Sequence, residues 1–188
     1  MHKSSPRIIG VCGKIGSGKS TFVNELLLRI PNSERIGTGD VLKNKLLPKD
    51  SVLDRSELFR LVAQNRNRLG PDFVKNAIRT KIEGSNSDFI IIDGVRGPNV
   101  KSLMDEYPNS VLVAIMTTSE KRYDRVRTRD EKVDEIGIER GDFETNDKRD
   151  HATAIDLLEL AADVQIENDG TYEEFLSKID KFTNTLTK

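Results

Sequence analysis

The 188-residue chain has a single cysteine, Cys12, and so cannot close an internal disulfide or a cysteine-rich zinc site. That cysteine ends an apolar run, which predicts a buried thiol rather than a reactive one. An excess of either charge is also missing. Thirty Lys and Arg stand against 31 Asp and Glu, a formal net charge of −1, so there is no general pull toward nucleic acid or an anionic membrane. No apolar run approaches the roughly 20 residues that a membrane span needs. Met1 to Pro6 lacks the apolar core of a signal peptide and reads as a short polar lead-in. Repeats and low-complexity tracts are absent. These absences predict one soluble, cytoplasmic domain with room for a core.

What is present is concentrated in Gly13-Lys14-Ile15-Gly16-Ser17-Gly18-Lys19-Ser20, a complete G-x-x-x-x-G-K-S phosphate-binding loop. The glycines let the backbone curl so that successive N–H groups point at one anion. Lys19 is placed to reach the β and γ phosphates of a nucleotide, and the Ser20 hydroxyl to ligate Mg²⁺. Arg7 to Cys12 before the loop is an apolar run of strand length. Thr21 to Leu28 after it has apolar residues at helical spacing, so the next helix turns its positive end toward the same anion.

The rest of the chain alternates between strand and helix patterns. A short strand is expected at Glu34-Arg35-Ile36, helices at about 40–47, 53–69 and 71–83, and buried strands at Asp88–Asp93 and Val111–Met116. Pro98 to Tyr107 and Lys121 to Arg129 read as helices. Asp130 to Asp147 is polar without periodicity and is expected to be mobile. An amphipathic stretch at Ala152–Leu160, a last strand at Ala162–Ile166 and a closing helix lined by Tyr172, Phe175, Leu176, Ile179 and Phe182 complete the pattern. The expected fold class is α/β, a three-layer P-loop domain with a mostly parallel five-stranded sheet and a small helical lid at about 122–147. Ligands then gather at the C-terminal ends of the strands.

Several residues are positioned for chemistry. Asp93 ends the apolar run Phe89–Ile92, which places a carboxylate beside the loop to hold Mg²⁺; the same position also suits a helix cap. Gly94 follows where motor-type ATPases carry a glutamate that activates water, which argues against a dedicated hydrolase. Arg96, close to the strand end, can meet an acceptor phosphate. Asp40, in Thr38-Gly39-Asp40, either caps the next helix or orients and deprotonates an acceptor hydroxyl. Arg60, Arg66, Arg68 and Arg79 fall in the stretch, about 40–84, where small kinases bind their acceptor. Arg122, Arg125 and Arg129 share one helical face, a source of cations over a migrating phosphoryl group. His151 reads as structural or surface.

Gly13 to Thr21 resembles the phosphate loop of dephospho-CoA kinases, and Arg125 to Asp130 resembles their lid segment. Ala162 to Thr171 resembles their last strand and turn. The match extends to a poorly characterised archaeal branch of dephospho-CoA-kinase-like P-loop proteins through Asp93-Gly94-Val95-Arg96, Leu69-Gly70-Pro71 and Arg149-Asp150. The resemblance implies that Asn168 and Gly170 lie near the adenine of ATP and that the cofactors are ATP and Mg²⁺. With the residue reading above, the expected catalytic residues are Lys19, Asp40, Arg96, Arg125 and Arg129, with Ser20 and Asp93 on the metal. Thr38-Gly39-Asp40, however, is similar to adenylate kinases, and Asp93 to Arg96 looks like a shortened Asp-Gly-x-Pro-Arg of nucleoside monophosphate kinases. The expected partners are ATP and a small phosphate-accepting substrate, of dephospho-CoA or nucleoside monophosphate type. An ATP-binding regulator with no such acceptor is the alternative. A GTPase is disfavoured, because Asn146-Asp147-Lys148-Arg149 fails the Asn-Lys-x-Asp pattern.

Overall fold

The computed structural model describes residues 5–47, 55–128, 138–152 and 154–186. In chain order the elements are β1 (Arg7–Cys12), α1 (Lys19–Arg29), β2 (Ser33–Gly37), α2 (Thr38–Leu46), α3 (Arg55–Leu69), α4 (Phe73–Gly84), β3 (Phe89–Asp93), α5 (Pro98–Met104), β4 (Val111–Met116), α6 (Ser119–Thr128), α7 (Arg140–Ala152), α8 (Ile155–Leu160), β5 (Val164–Glu167) and α9 (Tyr172–Leu186). The strands form one sheet in the order β2-β3-β1-β4-β5, and every pairing is parallel.

The apolar strand runs follow from cover on both faces. Alternate residues of β1 separate into two cores. Ile8 and Cys12 pack with Ile78 and Ile82 of α4, Leu103 and Met104 of α5 and Leu158 of α8. Ile9 and Val11 pack with Phe22, Val23 and Leu26 of α1 and Phe175, Ile179 and Phe182 of α9. This is the expected three-layer α/β arrangement. It brings the C-terminal ends of β1, β2 and β3 together in register, with Val11 beside Asp93 and Gly37 beside Asp93 on the other flank.

Three boundaries differ from the sequence reading. Helix α2 begins at Thr38, with Gly37 at its N-cap, so Asp40 lies inside the first turn and is not the cap. Helix α4 begins at Phe73, because Pro71 and Asp72 form a turn after Gly70, whose φ of 84° ends α3. The stretch expected to lack regular structure carries α7. Its helix has no apolar stripe to announce it, but Phe143, with Ile138 just before the helix, joins Val126 of α6 and Ile15 of the phosphate loop in a small third core. Arg129 and residues 130–137 of that stretch lie outside the described residues.

Candidate phosphate and acceptor site

The loop between β1 and α1 is held from behind by its neighbours. Its glycines take positive φ at Gly13, Gly16 and Gly18, 141°, 75° and 103°, a region that side chains disfavour. Gly18 is also the N-cap of α1 and supplies no side-chain cap, which leaves the first-turn N–H groups of that helix to the loop. A Cβ on Gly18 would strike the Asn168 amide. That amide donates to the Ser17 carbonyl at 2.8 Å, so the turn after β5 props the loop directly. The Lys19 ammonium donates to the Lys14 carbonyl at 2.6 Å, within the loop itself. Lys14 points the other way, to Asp156 of α8 at 2.7 Å. Ser20 is exposed at the start of α1, next to half-buried Thr21.

The two carboxylates singled out in the sequence converge, through a residue that the sequence reading did not assign. The Arg35 guanidinium, on β2, donates to Asp93 Oδ2 from Nε at 2.8 Å, with Nη2 ion-paired to the same oxygen at 2.7 Å, and donates to Asp40 Oδ2 from Nη1 at 2.7 Å. Burial works against the charge on Arg35, but the hydrogen bonds and charges of Asp93 and then Asp40 outweigh it and raise its pKa. Gly37 makes room for this bridge: a Cβ there would collide with the Asp40 carboxylate. Arg96 lies half-buried two residues after Gly94, at the same strand end.

Arg122 and Arg125 take up positions different from each other. Arg122 is buried on α6. It pairs end-on with Asp147 of α7, at 2.6 and 2.9 Å, lies over the Phe143 ring and donates to the Ile15 carbonyl at 3.3 Å. Arg125 donates to the Asn168 carbonyl at 2.7 Å and so braces the turn that supports the loop. Asp169 in that turn accepts from the Thr117 hydroxyl and the Thr118 N–H, bonds that lower its pKa. Gly170 packs against the Glu174 carboxylate. Arg129 lies outside the described residues. Arg79 is engaged elsewhere, with Glu106. Behind the loop, a cavity of about 390 Å³ is lined by Lys14, Ser17, Met116, Arg122, Asp147 and Glu159, among others. Burial raises the pKa of Glu159 there, and also pushes the Cys12 thiol up to about 12, which makes that thiol inert at neutral pH.

Hard oxygen donors are what Mg²⁺ requires, and it commonly takes only one or two protein groups and completes its shell with water and phosphate. Asp93 and Ser20 fit that role, and Asp93 already attracts a cation in the form of Arg35. No cluster of three or more His, Cys, Asp and Glu able to hold a metal occurs among the described residues.

The parallel sheet, the loop at the end of its middle strand and the helices on both faces define a three-layer P-loop α/β domain. A family model described as an AAA domain (AAA_18) matches residues 9–156, and the chain belongs to that family. It is similar to a UPF0200 protein of Methanoregula boonei, 27% identical over 96% of this chain and 98% of that one. A UPF0200 protein of Thermococcus kodakarensis is also 27% identical, over 95% and 97% of the two chains. Among solved structures the fold is similar to TT1252 from Thermus thermophilus, with a TM-score of 0.66 at 20% identity over 98% of this chain and all of that one. It is also similar to the shikimate kinase of Acinetobacter baumannii in complex with shikimate, with a TM-score of 0.62 at 14% identity over 98% and 94%.

Proposed function

We propose that the protein is an ATP-dependent small-molecule kinase that transfers the γ-phosphoryl group to a nucleotide or nucleotide-like acceptor, of dephospho-CoA or nucleoside monophosphate type. The observation that carries this reading is the pair Asp40 and Asp93, joined by Arg35 at the strand ends beside a complete phosphate loop. A hydrolase needs a carboxylate to activate water next to the metal ligand. Here Gly94 follows Asp93, and the second carboxylate, Asp40 of α2, is tied to Asp93 through Arg35, which supports a role on the acceptor hydroxyl.

In this mechanism the loop N–H groups and the start of α1 bind the triphosphate. Lys19 leaves the Lys14 carbonyl for the β and γ oxygens, and Asn168 and Gly170 border the base. Ser20 and Asp93 would hold Mg²⁺, which when bound neutralises charge on the β and γ oxygens. Asp40 orients the acceptor hydroxyl and takes its proton as the oxygen attacks phosphorus and the bond to the departing ADP oxygen breaks. Arg96 and Arg125 counter the charge on the acceptor and on the phosphates. Most of the rate comes from positioning and electrostatics.

A coupled assay for ADP tests this directly, with Mg·ATP and a panel of dephospho-CoA, nucleoside monophosphates and, because of the shikimate-kinase neighbours, shikimate. A kinase forms ADP in proportion to one added acceptor. ATP bound but not consumed with any of them would favour an ATP-binding regulator instead.

A further inference from the structure

Arg35 stands between the two carboxylates and belongs to neither of the roles given to them. Its side chain is 39% exposed, Asp93 only 15% and Asp40 57%. Two of its nitrogens lie against the same Asp93 oxygen, Nε as a hydrogen-bond donor and Nη2 as an ion pair, and Nη1 donates to Asp40. Strand pairing produces this. Gly37 is level with Asp93 in the β2–β3 register and Arg35 is level with Ile91, so Arg35 and Asp93 are diagonal neighbours on one face. Asp40 folds back from the first turn of α2 through the space that Gly37 leaves.

A guanidinium shared by two carboxylates divides its attraction between them. A divalent cation that approaches Asp93 competes with Arg35 for that carboxylate and repels it toward Asp40. The same competition runs in reverse: whatever weakens Asp40 leaves Arg35 more fully on Asp93. We propose that Arg35 is a positioning residue that couples metal loading at Asp93 to the state of the acceptor carboxylate Asp40. The coupling is reciprocal, as any linkage between two binding equilibria must be. Metal entry draws Arg35 onto Asp40 and restrains that carboxylate. Once Asp40 has taken the acceptor proton it no longer holds Arg35, which returns to Asp93 and loosens the metal after transfer.

This inference rests on the reading of Asp93 as a metal carboxylate, and the experiment separates the two. Mn²⁺ binding is followed by electron paramagnetic resonance in the presence of a non-hydrolysable ATP analogue. The proteins are the wild type, Asp93→Asn, Arg35→Gln, Asp40→Asn and the double variant Arg35→Gln/Asp40→Asn, each checked for fold by circular dichroism. Asp93→Asn should weaken Mn²⁺ binding; if it does not, or if the wild type shows no nucleotide-dependent Mn²⁺ signal, the metal-carboxylate reading and the inference both fall. Given that reading, Arg35→Gln should tighten Mn²⁺ roughly three- to tenfold, the scale of a two-pronged, part-exposed ion pair. Asp40→Asn should weaken it, and most of that loss should vanish when Arg35 is already Gln. Affinity unchanged or lowered by Arg35→Gln overturns the inference alone. So does an Asp40→Asn effect of equal size in both backgrounds, which would be plain charge acting through space.

Discussion

Lys19 is the residue on which nucleotide chemistry most depends. It opens α1 directly after the loop, is half-buried and not in a core, and donates to the Lys14 carbonyl of that loop. Lys19→Ala should therefore leave the thermal unfolding curve almost unchanged and lower ATP turnover by roughly 10²-fold or more, the usual cost of removing a charge aimed at a transition state. Steady-state ADP formation and a melting curve check both halves. Asp40 calls for a different test. Because α2 starts at Thr38, Asp40 is no cap, and its charge near the helix N-terminus is worth only about 0.3–1 kcal/mol. Asp40→Asn should cost little stability and leave metal-free ATP binding intact, yet slow transfer roughly 10²-fold if the carboxylate takes the acceptor proton. Calorimetric titration with an ATP analogue and single-turnover kinetics make that separation. Both residues were legible in the sequence, since short motifs carry them. Arg35 was not, because its role comes from β2 lying beside β3, a pairing that local pattern does not encode.

At the scale of elements, α6 and α7 are fixed to the phosphate loop by a buried ion pair and a few apolar groups. Arg122 and Val126 lie four residues apart on one face of α6, and both are buried. An arginine in a buried stripe needs a counter-ion, but the sequence offers many acids, and the one used, Asp147, lies in a stretch without periodicity. This is why the helix α7 escaped a reading based on hydrophobic pattern. Asp147→Asn leaves Arg122 buried without its charge partner, a change that typically costs about 3–5 kcal/mol. For a chain of this length it should lower Tm by roughly 10 °C, at about 2–4 °C per kcal/mol. Scanning calorimetry decides it; a loss of a degree or less would mean that the pair is easily replaced by water. By contrast, the strands β3 and β4 and the helix α9 needed no such partner to be read. Their apolar runs and stripe reflect burial alone, and the structure places them within a few residues of the expected bounds.

For the molecule as a whole, two glutamates should tilt stability in opposite senses as pH changes. Arg79 and Lys75 hold Glu106 down, from an ordinary 4.5 to about 2. Its folded pKa is depressed, so its contribution is present above 4.5 and is lost as pH falls toward 2. Burial raises Glu159 instead. Its ionisation opposes the fold, so that penalty is absent in acid and grows as pH rises through its raised folded value. Glu106→Gln should therefore lower Tm at pH 7 and flatten the acid limb. Glu159→Gln should raise Tm at pH 7 and change little at pH 4. Melting curves at the two pH values give the four signs.

The last helix has a consequence for how the chain comes into being. Residues of α1 that follow the phosphate loop, Phe22, Val23 and Leu26, find their cover in Phe175, Ile179 and Phe182 of α9, and Arg7 at the start of β1 donates to the Leu186 carbonyl at 2.7 Å. Strand β1 and helix α1 thus wait for a helix made much later. Until α9 emerges, that side of the sheet is covered only in part, and an apolar face stays exposed to other chains. A nascent polypeptide halted before Tyr172 would hold a complete nucleotide motif on an unfinished scaffold. The capacity to grip a phosphate therefore arrives only once α9 has been made.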